Sequence, residues 1–517
     1  MSLAVVYTRA NVGIEAPLVT VETHLSNGLP GLAIVGLPEA AVRESKERVR
    51  SAILNANLEF PTRRITINLA PADLPKNSGR FDLAIALSIL AASEQIPVAA
   101  LAQYEVLGEL ALTGGIRHVY GVLPAVLAAT ESNRELILPS VNAQEASLVR
   151  NVKALSASHL LDVCRHLTEG SGMQACRFNA EASKPSGLSR GVDIADIKGQ
   201  ESAKRALLIA AAGSHNILFV GPPGTGKTML ANSLAGLLPP LSEKEALEAA
   251  AIKSIAKLPI DPEVWLEPSF RAPHHTATSV SLVGGGAQAS PGEVTLAHRG
   301  VLFLDELTEF SRHVLEVLRE PIESGIISIC RASYRLQLPA NFQLVAAMNP
   351  CHCGFAGDPS NACRCSDAQI QRYLDKISGP LLDRIDLIMT VPRVSHAELM
   401  NAEIAQSNES SEALRERVMH CRELQQQRAG RLNSDMTNRE IQTHCTLDKS
   451  SEKSLAEVVD KLQLSARSCH RVLKIARTIA DLEGHAKIQQ QDLMEAVAYR
   501  RMESCFTHGA QSLLAKD

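Results

Sequence analysis

Gly221-Pro222-Pro223-Gly224-Thr225-Gly226-Lys227-Thr228 is the stretch on which the reading of this chain turns. It fits the phosphate-loop pattern G-x-x-x-x-G-K-[ST], in which each residue type has a mechanical reason. Glycines let backbone N–H groups turn inward as an anion nest, the lysine adds a point charge for the β- and γ-phosphates, and the threonine hydroxyl can reach Mg²⁺. Gly221, Pro222, Pro223, Gly224, Thr225, Gly226, Lys227 and Thr228 are therefore the candidate ATP-binding residues, with Thr228 also a candidate Mg²⁺ ligand. The flanks agree. Asn216 to Val220 is an apolar run suited to a buried parallel strand, and Thr228 to Leu238 reads as a helix stopped by Pro239-Pro240. Strand, loop and helix thus come in the order that aims a helix N-terminus at phosphates.

About eighty residues on, Gly300-Val301-Leu302-Phe303-Leu304-Asp305-Glu306 is a buried apolar run ending in two acids, as a second nucleotide-binding strand requires. Asp305 is the candidate second Mg²⁺ ligand. Glu306 is the candidate base for the attacking water. A further apolar run, Phe342 to Met348, delivers Asn349, and Ser378-Gly379-Pro380-Leu381-Leu382-Asp383-Arg384-Ile385-Asp386 follows it.

The bulk numbers bound the reading. The chain has 517 residues, enough for two to four domains. A net charge of −4 and a pI near 6.5 do not announce a nucleic-acid binder, so such contact must be local. No stretch has the apolar length of a membrane span, and Met1-Ser2-Leu3-Ala4 lacks the features of a signal peptide. A cytoplasmic protein without membrane contact is expected.

Two projections interrupt the motor segment. Phe270-Arg271-Ala272-Pro273-His274-His275 and Gly284 to Glu293 are rich in Gly and Pro and read as mobile loop, with the paired histidines serving packing or communication with nucleotide rather than a metal. Gly325 to Leu338 alternates like a hairpin and carries Arg331, Tyr334 and Arg335. Arginine beside an aromatic suits tracking along a nucleic-acid strand, so Arg331 and Arg335 are the candidate DNA contacts.

Eleven cysteines are too sparse for a disulfide scaffold, but four cluster as Cys351-His352-Cys353 and Cys363-Arg364-Cys365. Four thiolates in two close pairs can enclose one structural Zn²⁺ and fix a loop with little core of its own. Each pair is tighter than the usual C-x₂₋₄-C, so free or redox-active thiols and an iron–sulfur cluster stay open as alternatives.

At the N-terminal end, strand-like runs such as Arg64 to Leu69 alternate with helical ones such as Pro38 to Leu54 and Phe81 to Ala92, which argues for a separate α/β domain. Lys76 to Ala86 and Gly108 to Ile116, running on to Ala129, resemble the proteolytic domain of Lon, which shares its architecture with ribosomal protein S5. In Lon these segments hold a serine nucleophile and its activating lysine. Here the serine position falls on Asp82, with Phe81 one register slip away, and the lysine position on Leu123. Neither can run the chemistry, so the domain reads as a retired protease used as scaffold. The basic residues Arg43, Lys46, Arg48, Arg50, Arg63 and Arg64 offer a DNA contact, but with Glu39, Glu44 and Glu47 on the helix a solvated mixed-charge face is the favoured reading.

The last 120 or so residues read as helices, at Ala397–Gln406, Ser411–Ala429, Ser450–Leu462, Ala466–Glu483 and Gln490–Arg501. In the fourth, Val472, Ile475, Ala476, Ile479 and Ala480 form one apolar stripe between a Ser465 cap and Gly484.

Phosphate loop, insert, FRAPHH, VLFLDE, AAMNP and SGPLLDRID, in that order, resemble the magnesium-chelatase-like AAA+ ATPases of the YifB/ComM type. The resemblance implies an adenine site near Ile197 and Gly199, a γ-phosphate sensor at Asn349, an arginine finger at Arg384, and a second sensor at Arg467 with Arg471 as competitor. The plain alternative for Arg384 is an ion pair with Asp383 or Asp386. The implied architecture is α/β, with a Lon-like, S5-like domain at 1–167, a linker at 168–190, an AAA+ core at 191–395 and a helical lid at 396–517. The implied activity is ATP hydrolysis by a hexameric DNA motor. Family members related to ComM promote branch migration on single-stranded and branched DNA during integration of transforming DNA, beside recombination proteins. The alternative is a chaperone-like or chelatase-type motor remodelling a protein partner.

Overall fold

A computed structural model describes residues 3–36, 40–76, 78–178, 192–286, 290–330, 335–358, 362–394, 409–462 and 465–500. They form two compact units, the first drawn mainly from residues up to Pro185 together with Ser242–Leu266, the second from Ser186–Leu241, Glu267–Arg331 and the chain beyond Gln337.

The first unit is built on an eight-stranded mixed sheet, in the order Gln174–Ala175, Ala154–Ala157, Glu135–Pro139, Tyr104–Val106, Leu3–Arg9, Leu18–Ser26, Arg64–Ala70, Gly31–Val35. Arg64–Ala70 shows why: Ile65, Ile67 and Leu69 are buried while the residues between them are not, the period of two expected of a strand with one face on a core. The helix Asp82–Ala92 is buried on every side and packs against the strands Leu3–Arg9 and Leu18–Ser26. Ser242–Leu266, which follows the phosphate-loop stretch in sequence, groups with this unit. Its helix Glu243–Ile255 starts on a capping box between Ser242 and Glu245 and packs on the helix Val122–Glu131.

The second unit holds a five-stranded sheet, all parallel, ordered Phe270–Arg271, Val301–Leu304, Gln343–Met348, Ile217–Val220, Leu387–Thr390. Ile217–Val220, Val301–Leu304 and Gln343–Met348 are buried at every residue, as expected when helices cover both faces. Full burial of a chain such as Phe219 or Leu304 contributes ~1.5–3 kcal/mol.

The C-terminal helices Ser411–Ala429 and Ala466–Leu482 pack against Glu201–Gly213. Ser465 caps the second by accepting a hydrogen bond from the Ser468 N–H at 3.1 Å, and Val472, Ile475, Ala476, Ile479 and Ala480 are all buried. The helix expected at Ala397–Gln406 lies outside the described residues. Among those residues no helix is long and apolar enough to cross a membrane.

Two expectations are corrected. Phe270–Arg271 is the edge strand of the parallel sheet rather than mobile loop, and the Arg271 guanidinium makes a double hydrogen bond to Glu293 at 2.7 and 2.8 Å. A strand of two residues is too short to show a period. Arg48 does not stay on a solvated face, since it reaches the buried Asp82 at 2.7 Å.

Candidate nucleotide site

The loop that follows the strand Ile217–Val220 is shaped by backbone rather than by crowding. Gly224 and Gly226 have φ of 76° and 82°, in the left-handed region, and a Cβ built on either would meet nothing within 4 Å. Conformation, not space, therefore requires glycine there. Gly221 is the opposite case, because a Cβ would stand 2.2 Å from the Val391 carbonyl oxygen. The helix Lys227–Leu237 begins directly after Gly226, so its free N–H groups open onto the loop.

Lys227 is buried, and its Nζ donates to the carbonyls of Gly221 and Pro222 at 2.7 and 2.8 Å and to Asn349 Oδ1 at 3.2 Å. Burial holds its pKa below the ordinary lysine value, against the opposing pull of Asp305 and Glu306. Thr228 donates its hydroxyl to Asp305 Oδ2 at 2.8 Å. Lys227, Thr228, Asp305 and Asn349, from three segments spread over 122 residues of sequence, thus converge at the C-terminal ends of the parallel strands, where open α/β sheets bind ligands.

Glu306 follows Asp305 with φ of 52°, and its carboxylate lies 3.2 Å from His275 Nδ1. His274 and His275 stack with ring centroids 4.1 Å apart. The residue pair read as packing or communication therefore supplies a direct partner to the candidate base.

Arg384 is not paired with Asp383 or Asp386. It donates to the Pro380 carbonyl at 2.6 Å and forms an ion pair with Glu323. Asp386 serves a different purpose, accepting from the Asn216 N–H at 3.0 Å and pairing with Arg471 at 3.5 Å. Burial would raise the Asp386 pKa, but His215, Arg471 and Asn216 together hold it below the ordinary aspartate value. Asn216 also donates from Nδ2 to the Arg384 carbonyl at 2.9 Å and accepts from the Leu344 N–H at 2.8 Å. One asparagine thus ties the phosphate-loop strand to the neighbouring strand and to the Arg384 turn, and nothing in its sequence context had singled it out. Arg471 is committed to Asp386, whereas Arg467 is exposed on the first turn of its helix.

The sulfurs of Cys351, Cys353, Cys363 and Cys365 all lie within 4.8 Å of one another. Three of the separations are 3.3, 3.8 and 3.6 Å, against about 3.8 Å for the edge of a tetrahedron with Zn–S of about 2.3 Å. Burial opposes ionisation of Cys353, but backbone N–H groups of Arg364 and Phe355 bring its pKa down to about 6. The residue set fits a four-thiolate metal ion.

The remaining candidates stand apart. The hairpin Ile326–Cys330 and Arg335–Pro339 is present, but Arg331, Tyr334 and the side chain of Arg335 lie outside the described residues. In the first unit, Asp82 is buried and accepts from Arg48, from Ser45 and from the Leu110 N–H at 3.3 Å, while Leu123 is buried in a helix.

Comparison with known proteins agrees with this geometry. The family described as magnesium chelatase, subunit ChlI, matches residues 193–399, a ChlI-subunit model matches 21–142, and the ChlI C-terminal model matches 408–500. Competence protein ComM of Haemophilus influenzae is 51% identical over 506 residues, covering 97% of this chain and 98% of its own. Protein YifB of Salmonella typhimurium is 47% identical over 515 residues, covering 100% of both. The magnesium-chelatase 38 kDa subunit of Rhodobacter capsulatus is 31% identical over 174 residues, 30% of this chain and 49% of that protein. With full-length likeness to ComM and YifB and a phosphate loop set in a five-stranded parallel sheet, the chain belongs to the YifB/ComM family of magnesium-chelatase-like AAA+ proteins.

Proposed function

We propose that this protein is a Mg²⁺-dependent ATPase that works as a ring and moves DNA strands, with a competence-related role in recombination. The observation that carries the reading is that the phosphate loop and its helix bring Lys227 onto Asn349 and Thr228 onto Asp305, each within hydrogen-bond distance.

In this reading the loop Gly221 to Gly226 and Lys227 hold the phosphates of ATP, and Thr228 and Asp305 hold Mg²⁺. Bound ATP supplies the phosphoanhydride whose cleavage drives the motor. Lys227 Nζ, which turns to carbonyls of its own loop, is positioned to exchange them for phosphate oxygens, since a lysine makes up to three donor bonds. Glu306 takes the proton of the attacking water on a carboxylate oxygen, and His275 orients it. Asn349, beside Lys227, reports whether the γ-phosphate is present. Arg384 acts on the nucleotide of a neighbouring subunit, which makes hydrolysis depend on assembly into a homo-hexamer. Arg467, free of the Asp386 pair that occupies Arg471, is the second sensor. The hairpin with Arg331 and Arg335 tracks the strand.

The metal site of Cys351, Cys353, Cys363 and Cys365 holds structural Zn²⁺. The first unit keeps a Lon-like layout with Asp82 and Leu123 at the catalytic positions and has no protease activity. The competence name of the 51% identical relative supports DNA over polypeptide as the track. A branch-migration assay on three-stranded DNA tests this: ATP-dependent strand exchange and DNA-stimulated hydrolysis are expected, and absence of both, with hydrolysis stimulated by a protein partner instead, would overturn it.

A further inference from the structure

The four-cysteine loop is seated against the nucleotide site on three sides. Gly354, between the second cysteine and the rest of the loop, has φ of 87°, and a Cβ built there would stand 2.7 Å from Pro223 Cδ and 3.9 Å from Asn349 Cγ. The loop backbone therefore rests on the phosphate loop with no room for a side chain. On the second side, the His352 ring meets the edge of Tyr373 at a centroid distance of 6.4 Å. Tyr373 OH in turn accepts from Thr308 at 2.5 Å, two residues beyond Glu306. On the third, Arg393 lies over the Phe355 ring at 5.0 Å and pairs with Asp358 at 3.6 Å. Arg393 is two residues past Val391, whose carbonyl closes on Gly221.

This loop has little apolar core beyond the cysteines among its described residues. Among its described residues, Cys351 and Ala356 are the buried apolar side chains. Without a common ion the sulfurs of Cys351, Cys353 and Cys363, at separations of 3.3 to 3.8 Å, share weak S–H contacts, and Cys365 lies within 4.8 Å of all three. A metal ion converts them into a rigid cross-link between the chain just after Asn349 and the chain just before the helix Asp367–Leu374, which carries Tyr373.

We infer that the four-thiolate site is a metal-operated clamp: a Zn²⁺-class ion on Cys351, Cys353, Cys363 and Cys365 presses Gly354 onto Pro223 and holds Asn349 and Tyr373 in place, so that metal occupancy sets nucleotide affinity. The inference rests on the nucleotide reading of the phosphate loop and adds a regulator to it. The occupant is a thiophilic divalent ion, because four sulfur ligands select zinc over hard cations.

The test uses the full chain. Zinc content is measured per chain, and binding of a fluorescent ATP analogue with Mg²⁺ is measured as purified, after a zinc-selective chelator with Mg²⁺ restored, and after Zn²⁺ is returned. One zinc per chain is expected, with affinity falling at least about tenfold on removal and returning with Zn²⁺. Because cysteine variants can simply misfold, Gly354→Ala provides the second arm. It is expected to keep its zinc yet bind the analogue about tenfold more weakly, and adding Pro223→Ala to it should recover part of the loss. Unchanged affinity after zinc leaves, or wild-type affinity in Gly354→Ala, overturns the clamp while the nucleotide site stands. A chain that holds no zinc also overturns it. Failure of the zinc-loaded wild type to bind the analogue at all brings down the nucleotide reading and the clamp with it.

Discussion

His275 Nδ1 stands 3.2 Å from the carboxylate of Glu306, and the strand that leads to the histidine pairs directly with the strand that ends in the glutamate. A base held by a partner just beyond the adjacent strand is oriented whatever the nucleotide state, so His275→Ala should lower the rate of ATP turnover on the order of tenfold and leave ATP affinity within about threefold. Steady-state hydrolysis and analogue binding, measured together, check this. Turnover equal to wild type would show that the contact does not position the base.

Lys227 and Glu306 should separate binding from turnover. Lys227→Ala removes the donor that reaches both Asn349 and the loop carbonyls, and nucleotide binding should be lost. Glu306→Gln keeps the site's shape, so it should bind ATP and turn it over about 10²–10⁴ times more slowly. Equal binding loss in both would argue against the division of roles.

Arg384 is tied to Glu323 within its own chain. If it serves a neighbour's nucleotide, that tie competes with assembly, and Glu323→Gln should raise hydrolysis at low protein concentration. Mixing Arg384→Ala with Lys227→Ala subunits should restore part of the activity that each lacks. No recovery at any ratio would remove the case for action in trans.

Asp386, held by His215, Arg471 and Asn216, sets a pH dependence with a definite sign. Asp386 has a folded pKa below the unfolded value near 3.8, so its contribution is fully present above that value and is lost as pH falls through the lower folded one. Asp386→Asn should lower thermal stability at pH 7 and flatten its decline in acid. A parallel decline in both proteins, followed by melting from pH 7 down to about pH 2, would exclude Asp386 as its source.

Arg48 makes a prediction for the first unit. Burial raises the Asp82 pKa, and Arg48 and Ser45 counter it, so removing the guanidinium leaves a buried carboxylate uncompensated. Arg48→Ala should cost about 3 kcal/mol at neutral pH, and the double change with Asp82→Asn should recover much of it. Additive losses in denaturant melts would mean that the pair is not coupled.

What the sequence made legible follows from range. Gly221 to Thr228 and Asp305-Glu306 are contiguous, so their spacing alone announced a nucleotide site, and three of the five parallel strands, Ile217–Val220, Val301–Leu304 and Gln343–Met348, were implied by their apolar runs. The stripe from Val472 to Ala480 was equally plain, since its period is local. Asn216, His275 and Glu323 were not singled out for the contacts they make, because each acts through a partner 31 to 170 residues away and sits in a context without period. The two-residue strand Phe270–Arg271 and the placement of Ser242–Leu266 fail for the same reason. Both depend on what lies across from them rather than on neighbours in sequence.

That last segment has a consequence for how the molecule is made. The helix Glu243–Ile255 completes the first unit, yet it is encoded after the phosphate loop. A ribosome must therefore emit Gly221 to Leu237 before the unit begun at the N-terminus can close, and residues 1–185 emerge as an unfinished body waiting on a piece still in the tunnel. Severing the peptide between 185 and 186 would likewise leave two bodies still joined by unbroken backbone at 241/242 and 266/267.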